Sequence, residues 1–126
     1  MRKTNPKELS FPSWSEVSNY GIITLRAGDT VKAHFHDCNE FWLIVQGKGI
    51  ATSESLTYDV GPGDMLMTRA GEKHGLIVTE EMVAIRLYGV MPPGGRFRHL
   101  YRGVDPDFAE WQEQKKNGLA KHADTV

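Results

Sequence analysis

The stretch GDTVKAHFHDCNEFWLIVQGKG, residues 28–49, combines two histidines, a glutamate and a cysteine with a run of β-forming residues. Residues two apart in a strand point to the same face, so His34 and His36 should project side by side, with Cα atoms roughly 6–7 Å apart. The polar residues 37–39 suit a tight hairpin, which would return Glu40 opposite His36 on the neighbouring strand. The stretch therefore predicts β-structure that brings two imidazoles and a carboxylate together.

The chain around this stretch also reads as short strands separated by glycine-rich turns, a spacing typical of a sandwich or barrel. Turn residues are concentrated around Gly28, Gly63 and Gly71. The predicted strands leave no room for crossover helices, which favours an antiparallel sheet. We predict eight strands, near residues 20–26, 31–36, 40–46, 48–53, 55–60, 64–68, 74–79 and 82–89.

The two ends of the chain differ from this β-region, and we divide the sequence accordingly. Residues 1–19 are predicted to form an N-terminal arm that docks through Leu9, Phe11, Trp14 and Val17, and residues 20–90 the barrel. Residues 91–126 form a C-terminal extension that begins at a Pro-Pro-Gly-Gly break. Within it, Asp105 resembles an N-cap and Pro106 a first helical residue, which predicts a helix near 106–116 with Gly118 as its C-cap.

A third histidine joins the candidate site from a distant part of the sequence. His74 follows the Gly71 turn and opens a predicted strand, and a closed barrel can bring it to the same interior point. Three imidazoles and one carboxylate suit one divalent transition metal such as Zn, Fe, Mn, Ni or Co, and they disfavour Ca. The predicted metal ligands are therefore His34, His36, Glu40 and His74.

At these residues the sequence resembles the cupin superfamily. The first cupin motif, G-x5-H-x-H-x3-E-x6-G, is matched in full from Gly28 to Gly47. The second, G-x5-P-x-G-x2-H-x3-N, is matched at Gly63, Gly71 and His74, while Arg69 stands in place of proline and Val78 in place of asparagine. The resemblance covers roughly residues 20–90. It implies an all-β, antiparallel jelly-roll barrel of six to eight strands, a central metal ion and a homodimer.

Composition limits the possible partners. Fifteen Lys and Arg oppose 16 Asp and Glu, giving a formal net charge of −1, which argues against a dedicated nucleic-acid binder. No apolar segment reaches the roughly 20 residues of a membrane span, and the N-terminus lacks the apolar stretch of a secretory signal. The single cysteine, Cys38, cannot form an intrachain disulfide. We expect a cytoplasmic protein whose partner is a small molecule.

Several other side chains are candidates for the cavity. Trp42 and Ile44 share the strand parity of Glu40 and should face inward. An inward Arg26 or Arg86 would be a costly buried cation and would indicate an acidic substrate. The segment RFRHLYR, residues 96–102, either covers the open end or pairs with another subunit. Candidates for proton transfer are Asp37, Cys38, Tyr58, Tyr88, His99 and Tyr101.

Two classes of function fit these residues. The first is a metalloenzyme, and we prefer an isomerase, epimerase or lyase acting on a small carbohydrate-like or carboxylate-bearing metabolite. Within this class an iron-dependent dioxygenase is the alternative. The second class is a cupin that binds a small molecule without turning it over. The fold alone does not separate them, because function resides in the site.

Overall fold

A computed structural model describes residues 1–116 of the chain as an antiparallel β-structure followed by a short helix. Six strands form one hydrogen-bonded sheet. They are β1 (Asn19–Leu25), β2 (Thr30–His34), β3 (Glu40–Ser53), β4 (Leu56–Val60), β5 (Met65–Thr68) and β6 (His74–Tyr88). The helix α1 spans Phe108–Lys116. The predicted all-β antiparallel class is confirmed, and Gly118 lies outside the described residues.

The structure has six strands where eight were predicted, because two predicted breaks are bends within long strands. β3 has 14 residues and β6 has 15, and the two pair along their whole length with register shifts between Ile44 and Gly49. Gly47 lies at this irregularity with a φ of 90°. A Cβ there would lie 2.1 Å from the Glu81 carbonyl oxygen. Glycine therefore allows the two strands to bend together here and does not end either one.

The bent β3–β6 pair organises the other strands. The order is β1-β6-β3-β4, with β2 also pairing β6 and β5 also pairing β3. The first half of β6 thus pairs with β2, and its second half pairs with β1. The predicted hairpin at residues 37–39 is wrong, because β2 does not pair with β3. Residues 35–39 instead cross between the strands, and Phe35 forms an isolated bridge with Leu100.

Alternate residues of β3 and β6 face the interior, where the apolar core lies. This core contains Ile44, Ala51, Val60, Leu76, Val78, Met82 and Ala84. Ile44 is fully buried, as predicted, and Trp42 packs against the core. Burial of such side chains contributes roughly 25 cal/mol per Å² of apolar surface removed from water. The buried polar residues are separate from this apolar cluster: they are His34, His36, Asp37 and Glu40.

The N-terminal residues and α1 differ from prediction in detail. Phe11 packs edge-on against Tyr20, with ring centroids 6.3 Å apart, whereas Trp14 is 77% exposed and does not dock. Asp107, rather than Asp105, caps α1: its Oδ1 accepts from the Glu110 amide at 2.7 Å, and Glu110 Oε2 accepts from the Asp107 amide. Within residues 1–116 we find no helix long and apolar enough to cross a membrane.

Candidate metal centre

The four predicted ligands come from three separate parts of the chain and meet at one point. His34 ends β2, Glu40 begins β3 and His74 begins β6, while His36 lies just past the end of β2. One candidate ligand atom from each side chain lies within 4.8 Å of every other. His34, His36 and Glu40 are buried and His74 is partly buried. The geometry is therefore that of a compact interior cluster of three imidazoles and a carboxylate.

The Nδ1 atom of each of the three imidazoles contacts a backbone carbonyl. Nδ1 of His34 lies 2.7 Å from the Lys32 carbonyl, Nδ1 of His74 lies 2.9 Å from the Glu72 carbonyl, and Nδ1 of His36 lies 3.0 Å from the Arg98 carbonyl. A carbonyl oxygen only accepts, so each Nδ1 carries the hydrogen and donates it. In the neutral rings each Nε2 then presents a lone pair towards the centre. This arrangement is typical of metal-binding histidines.

The short contacts at the centre join atoms that repel one another unless a cation lies among them. Nε2 of His34 lies 3.0 Å from Nε2 of His36. The Glu40 oxygens lie 3.2 Å from Nε2 of His36 and 3.0 Å from Nε2 of His74. With every Nδ1 protonated, neutral imidazoles have no hydrogen to share across these contacts. A divalent ion ligated by Nε2 atoms and a carboxylate oxygen fits this donor set.

The pKa values of the cluster follow from burial and from these contacts. Burial lowers the pKa of His34 to about 4, which keeps this imidazole neutral at physiological pH. Burial also acts to raise the pKa of Glu40, but the contacts of its carboxylate with the His36 and His74 rings outweigh it and hold that pKa well below its usual range. Burial acts to lower the pKa of His74, and its contacts with Glu40 and the Glu72 carbonyl raise it overall. The carboxylate is thus charged, as a metal ligand must be.

A second ion pair fixes the segment that covers the cluster, residues 96–101, which we call the closing segment. Asp37 is fully buried at its side chain and accepts from the Arg96 amide, Nε and Nη2, each at 2.9 Å. Phe35 and Leu100 exchange backbone hydrogen bonds across their bridge. The segment therefore lies against the His34–His36 region of its own chain.

Two of the six candidate proton-transfer groups adjoin the cluster. The His99 ring stacks on His34, with centroids 3.8 Å apart, and the Tyr88 ring lies 5.2 Å from that of His36. Burial, with the Glu40 charge, raises the pKa of Tyr88 to about 12, and burial lowers the pKa of His99. The Asp37 carboxylate is instead occupied by Arg96.

The other three candidates do not offer a ready proton-transfer group at the centre. Cys38 is buried, and burial raises the pKa of its thiol to about 12, so it is not a reactive thiolate. Tyr101 lies under the Lys32 ammonium, 4.9 Å from the ring centroid. Tyr58 is 49% exposed and lines the cavity described next.

A cavity of about 590 Å³ leads to the cluster. His34, Glu40 and His74 line its inner end, and Trp42 and Leu66 line its wall, whereas Met67 at its rim is 70% exposed. The predicted position of Trp42 in the cavity wall is therefore confirmed. The volume is in the range of cavities that hold small organic molecules.

The two arginines singled out from the sequence have different environments. Arg26 is exposed at the end of β1. Arg86 is partly buried, shares the inner-face parity of Met82, Ala84 and Tyr88, and has a buried Nε without a hydrogen-bond partner. Its guanidinium carbon lies 4.7 Å from the Tyr88 ring centroid. The inward arginine is therefore Arg86.

Some residues at the site were not found from the sequence. The role of Arg96 was missed, although Asp37 and the basic segment 96–102 were both noted. Their pairing joins residues 59 positions apart, which local patterns do not reveal. With arginine at position 69, a turn still forms before His74: the Glu72 amide donates to the Arg69 carbonyl at 3.0 Å, and Gly71 adopts a φ of 82°.

The fold and the buried His/Glu cluster define a class of small β-barrel-like domains with an interior donor set. A sequence profile described as the cupin domain matches residues 21–98. The chain therefore belongs to the cupin domain family.

Comparisons with known proteins support the fold of this chain but do not identify its specific activity. An uncharacterised protein, y4oW of Sinorhizobium fredii, is 36% identical over 70 residues, covering 55% of this chain and 32% of that protein. The chain thus spans about a third of that relative. A cupin superfamily protein from Desulfitobacterium hafniense has a TM-score of 0.56 at 16% identity, covering 71% of this chain and 84% of its own. The DMSP lyase DddQ of Ruegeria pomeroyi has a TM-score of 0.56 at 22% identity, covering 60% and 40%.

Proposed function

We propose that this protein is a metal-dependent cupin enzyme that acts on a small carbohydrate-like or carboxylate-bearing metabolite, with isomerase, epimerase or lyase chemistry. His34, His36, Glu40 and His74 are the proposed ligands of one divalent transition metal. The observation that carries the proposal is the convergence of these four donor atoms within 4.8 Å, with every imidazole Nδ1 held by a carbonyl. The nature of the metal, whether Zn, Fe, Mn or Ni, is part of what the experiment must identify.

The chain's own residues have distinct roles in this proposal. The bound ion would act as a Lewis acid that polarises a carbonyl or hydroxyl oxygen of the substrate. The Lys32, Glu72 and Arg98 carbonyls orient the ligand rings. The apolar cavity wall around Trp42 and Leu66 excludes bulk water. His99 and Tyr88 lie against His34 and His36 and are the proton-transfer candidates nearest the proposed metal, whereas Tyr58 is the candidate that lines the cavity.

The test begins with protein purified without a nickel column. Elemental analysis should give close to one transition-metal ion per chain, and the metal-loaded protein should turn over a member of a panel of sugars and keto acids. Turnover should disappear after chelation and return on adding the identified ion. Glu40→Gln should lose both metal and turnover, whereas Glu54→Gln, which changes an exposed carboxylate, should retain both.

The alternative functions give different results in the same assay. Calorimetric binding of a panel compound without turnover would overturn the enzyme proposal in favour of a binding cupin. Iron as the native ion, with oxygen consumption during turnover, would favour a dioxygenase over an isomerase or lyase. Equal metal content in Glu40→Gln and wild type would contradict the proposed ligand set.

The homodimer that the resemblance implies and the cytoplasmic location expected from the sequence are also part of this proposal. Several outward-facing apolar side chains support a subunit contact, among them Ile22 at 64% exposure and Val45 at 52%. Light scattering of the full chain should give twice the monomer mass. A monomeric mass would contradict the dimer without affecting the metal centre.

A further inference from the structure

Arg86 is a cation in the interior without a matching anion. Its position in β6 alternates with outward-facing residues, so its side chain projects to the same face as Ala84 and Tyr88, both buried. Six ion pairs join side chains in residues 1–116, and Arg86 takes part in none of them. Its Nε is buried and lacks a hydrogen-bond acceptor. A partly buried guanidinium in this state is unfavourable unless an anion completes its environment.

A second unsatisfied donor lies directly across from Arg86. Trp42 of β3 is the register partner of Arg86 of β6, and its indole Nε1 is also buried without an acceptor. Directly opposed residues in an antiparallel pair have Cβ atoms about 4.5–5.5 Å apart and point to the same face. The two N–H groups are the buried side-chain donors within residues 1–116 that lack a partner. Their neighbouring positions indicate one missing acceptor rather than two unrelated defects.

The strand β1, which pairs with β6 on the side opposite β3, leaves room for the Arg86 guanidinium. Gly21 of β1 is the register partner of Arg86, and a Cβ built there would lie 3.3 Å from Arg86 Nη2. The absence of a side chain at Gly21 therefore leaves space beside the guanidinium. The centroid of the Tyr88 ring lies 4.7 Å from the guanidinium carbon of Arg86. Arg86 is thus positioned by neighbours that offer it no negative charge.

This pair of donors lies two residues along β3 and β6 from the cluster of candidate ligands. Glu40 is the register partner of Tyr88, and the pair Trp42–Arg86 follows two residues further on the same face. Trp42 also lines the cavity that reaches His34, Glu40 and His74. Arg86 itself is not among the residues that line this cavity, so a small molecule with one oxygen at the cluster would reach Arg86 at the Trp42 side of the cavity wall, where the two side chains are strand neighbours.

We infer that Arg86 and the Trp42 indole form a carboxylate-binding subsite, so that the substrate of the proposed enzyme is a small carboxylic acid, such as a sugar acid or a 2-oxo acid. This inference rests on the proposed function, because it takes the anion at Arg86 to be the substrate of the metal site. Arg86 supplies the charge and a planar set of donors, and Trp42 supplies one further N–H. The neutral sugars within the proposed substrate class are thereby excluded.

The experiment compares acids with their uncharged amides in calorimetry. The probes are D-gluconate with D-gluconamide, and pyruvate with pyruvamide, each titrated into metal-containing protein. At least one acid should bind about tenfold more tightly than its amide, because a charge-assisted hydrogen bond is stronger than a neutral one. Equal affinity of acid and amide in both pairs would overturn the inference.

Variants then assign any preference to the two donors. Arg86→Gln should abolish the preference for the acid, and Arg86→Lys should keep part of it, because lysine retains the charge but not the planar donor set. Trp42→Phe should weaken acid binding severalfold while preserving an aromatic ring. Arg26→Gln is the matched control and should leave both affinities unchanged, because Arg26 is exposed. An undiminished preference in a folded Arg86→Gln protein, verified by circular dichroism, would contradict the assignment.

Metal content separates this inference from the proposed function. Elemental analysis of each variant should match wild type, since Arg86 is not among the four proposed ligands. A preference for acids through Arg86 in protein that purifies without metal and shows no metal-dependent turnover would overturn the enzyme proposal and leave a carboxylate-binding site. Metal-dependent turnover of a neutral sugar, unaffected by Arg86→Gln, would support the enzyme proposal and overturn the carboxylate subsite.

Discussion

Two buried carboxylates lie three residues apart, Asp37 in the connection between β2 and β3 and Glu40 at the start of β3, yet their surroundings differ completely. Asp37 is met by the permanently charged Arg96, which donates through its amide, Nε and Nη2. Glu40 is met by the imidazoles of His36 and His74, whose Nδ1 hydrogens are already donated to carbonyls. The first carboxylate is fully compensated by the protein itself. The second has no permanently charged partner within residues 1–116 and lies instead in a cluster of donors that suits a cation. This difference makes Asp37 a structural residue and Glu40 a candidate ligand.

The Asp37–Arg96 ion pair also fixes the position of the closing segment. The Asp37–Arg96 ion pair holds residues 96–101 over the cluster, and the Arg98 carbonyl then orients His36. His99 is brought onto His34 by the same segment. A structural ion pair and a candidate metal site are therefore adjacent, and the former positions two parts of the latter.

The largest expected effect comes from removing two proposed ligands. The His34→Ala/His36→Ala variant should lose metal-dependent stabilisation, which in wild type reaches about 4 kcal/mol when metal exceeds its dissociation constant 1,000-fold. Thermal unfolding of both proteins, with the identified ion and with a chelator, measures this. A variant that still gains the full stabilisation from metal would show that the cluster is not the binding site.

A smaller effect is expected at the other buried carboxylate. Asp37→Asn should reduce the free energy of unfolding by about 3 kcal/mol, because it leaves Arg96 without its anion. Metal content, in contrast, should stay near wild type. Urea denaturation and elemental analysis on the same preparation measure the two quantities. Loss of metal with unchanged stability would reverse the roles we assign to Asp37 and Glu40.

The smallest effect is expected at an exposed ion pair. Glu54 pairs with Arg102, and this contact lowers the pKa of Glu54. Glu54→Gln should cost at most about 1 kcal/mol at neutral pH, because both partners are exposed. The folded-state pKa lies below the ordinary value of 4.5, so the contribution is present above that pH and is lost as the pH falls below it. Denaturation at pH 7 and pH 3 should therefore differ more for wild type than for the variant.

Local sequence patterns predicted the fold class and the composition of the cluster, but not all the contacts that build it. Strand alternation and motif spacing predicted that His34, His36, Glu40 and His74 would converge, and they do. The proposed route was wrong, because β2 pairs with β6 and residues 35–39 form no hairpin. Strand pairing depends on packing across the whole sheet. The sequence of a short polar loop does not show whether the two strands it connects pair with each other or with other strands.

Other errors have a similar physical origin. Gly47 lies between two predicted strands, whereas in the structure it allows a close approach to Glu81 within the single long strand β3. Asp105 and Asp107 both suit an N-cap by residue type, and Asp105 is instead engaged by Arg98 at 3.0 Å. The sequence leaves two candidates, Arg26 and Arg86, for an inward arginine. Their burial depends on the register of β6 with β1 and β3, which local patterns do not reveal.

X-ray absorption spectroscopy of the metal-loaded protein tests the central claim most directly, because it reports the atoms bound to the ion. The account predicts three imidazole nitrogens and at least one oxygen at about 2.0–2.2 Å, with no sulfur ligand. Two results would contradict the assignment of His34, His36, Glu40 and His74 as the metal ligands. One is fewer than three imidazoles, and the other is a sulfur ligand, supplied by Cys38, at about 2.3 Å from the metal.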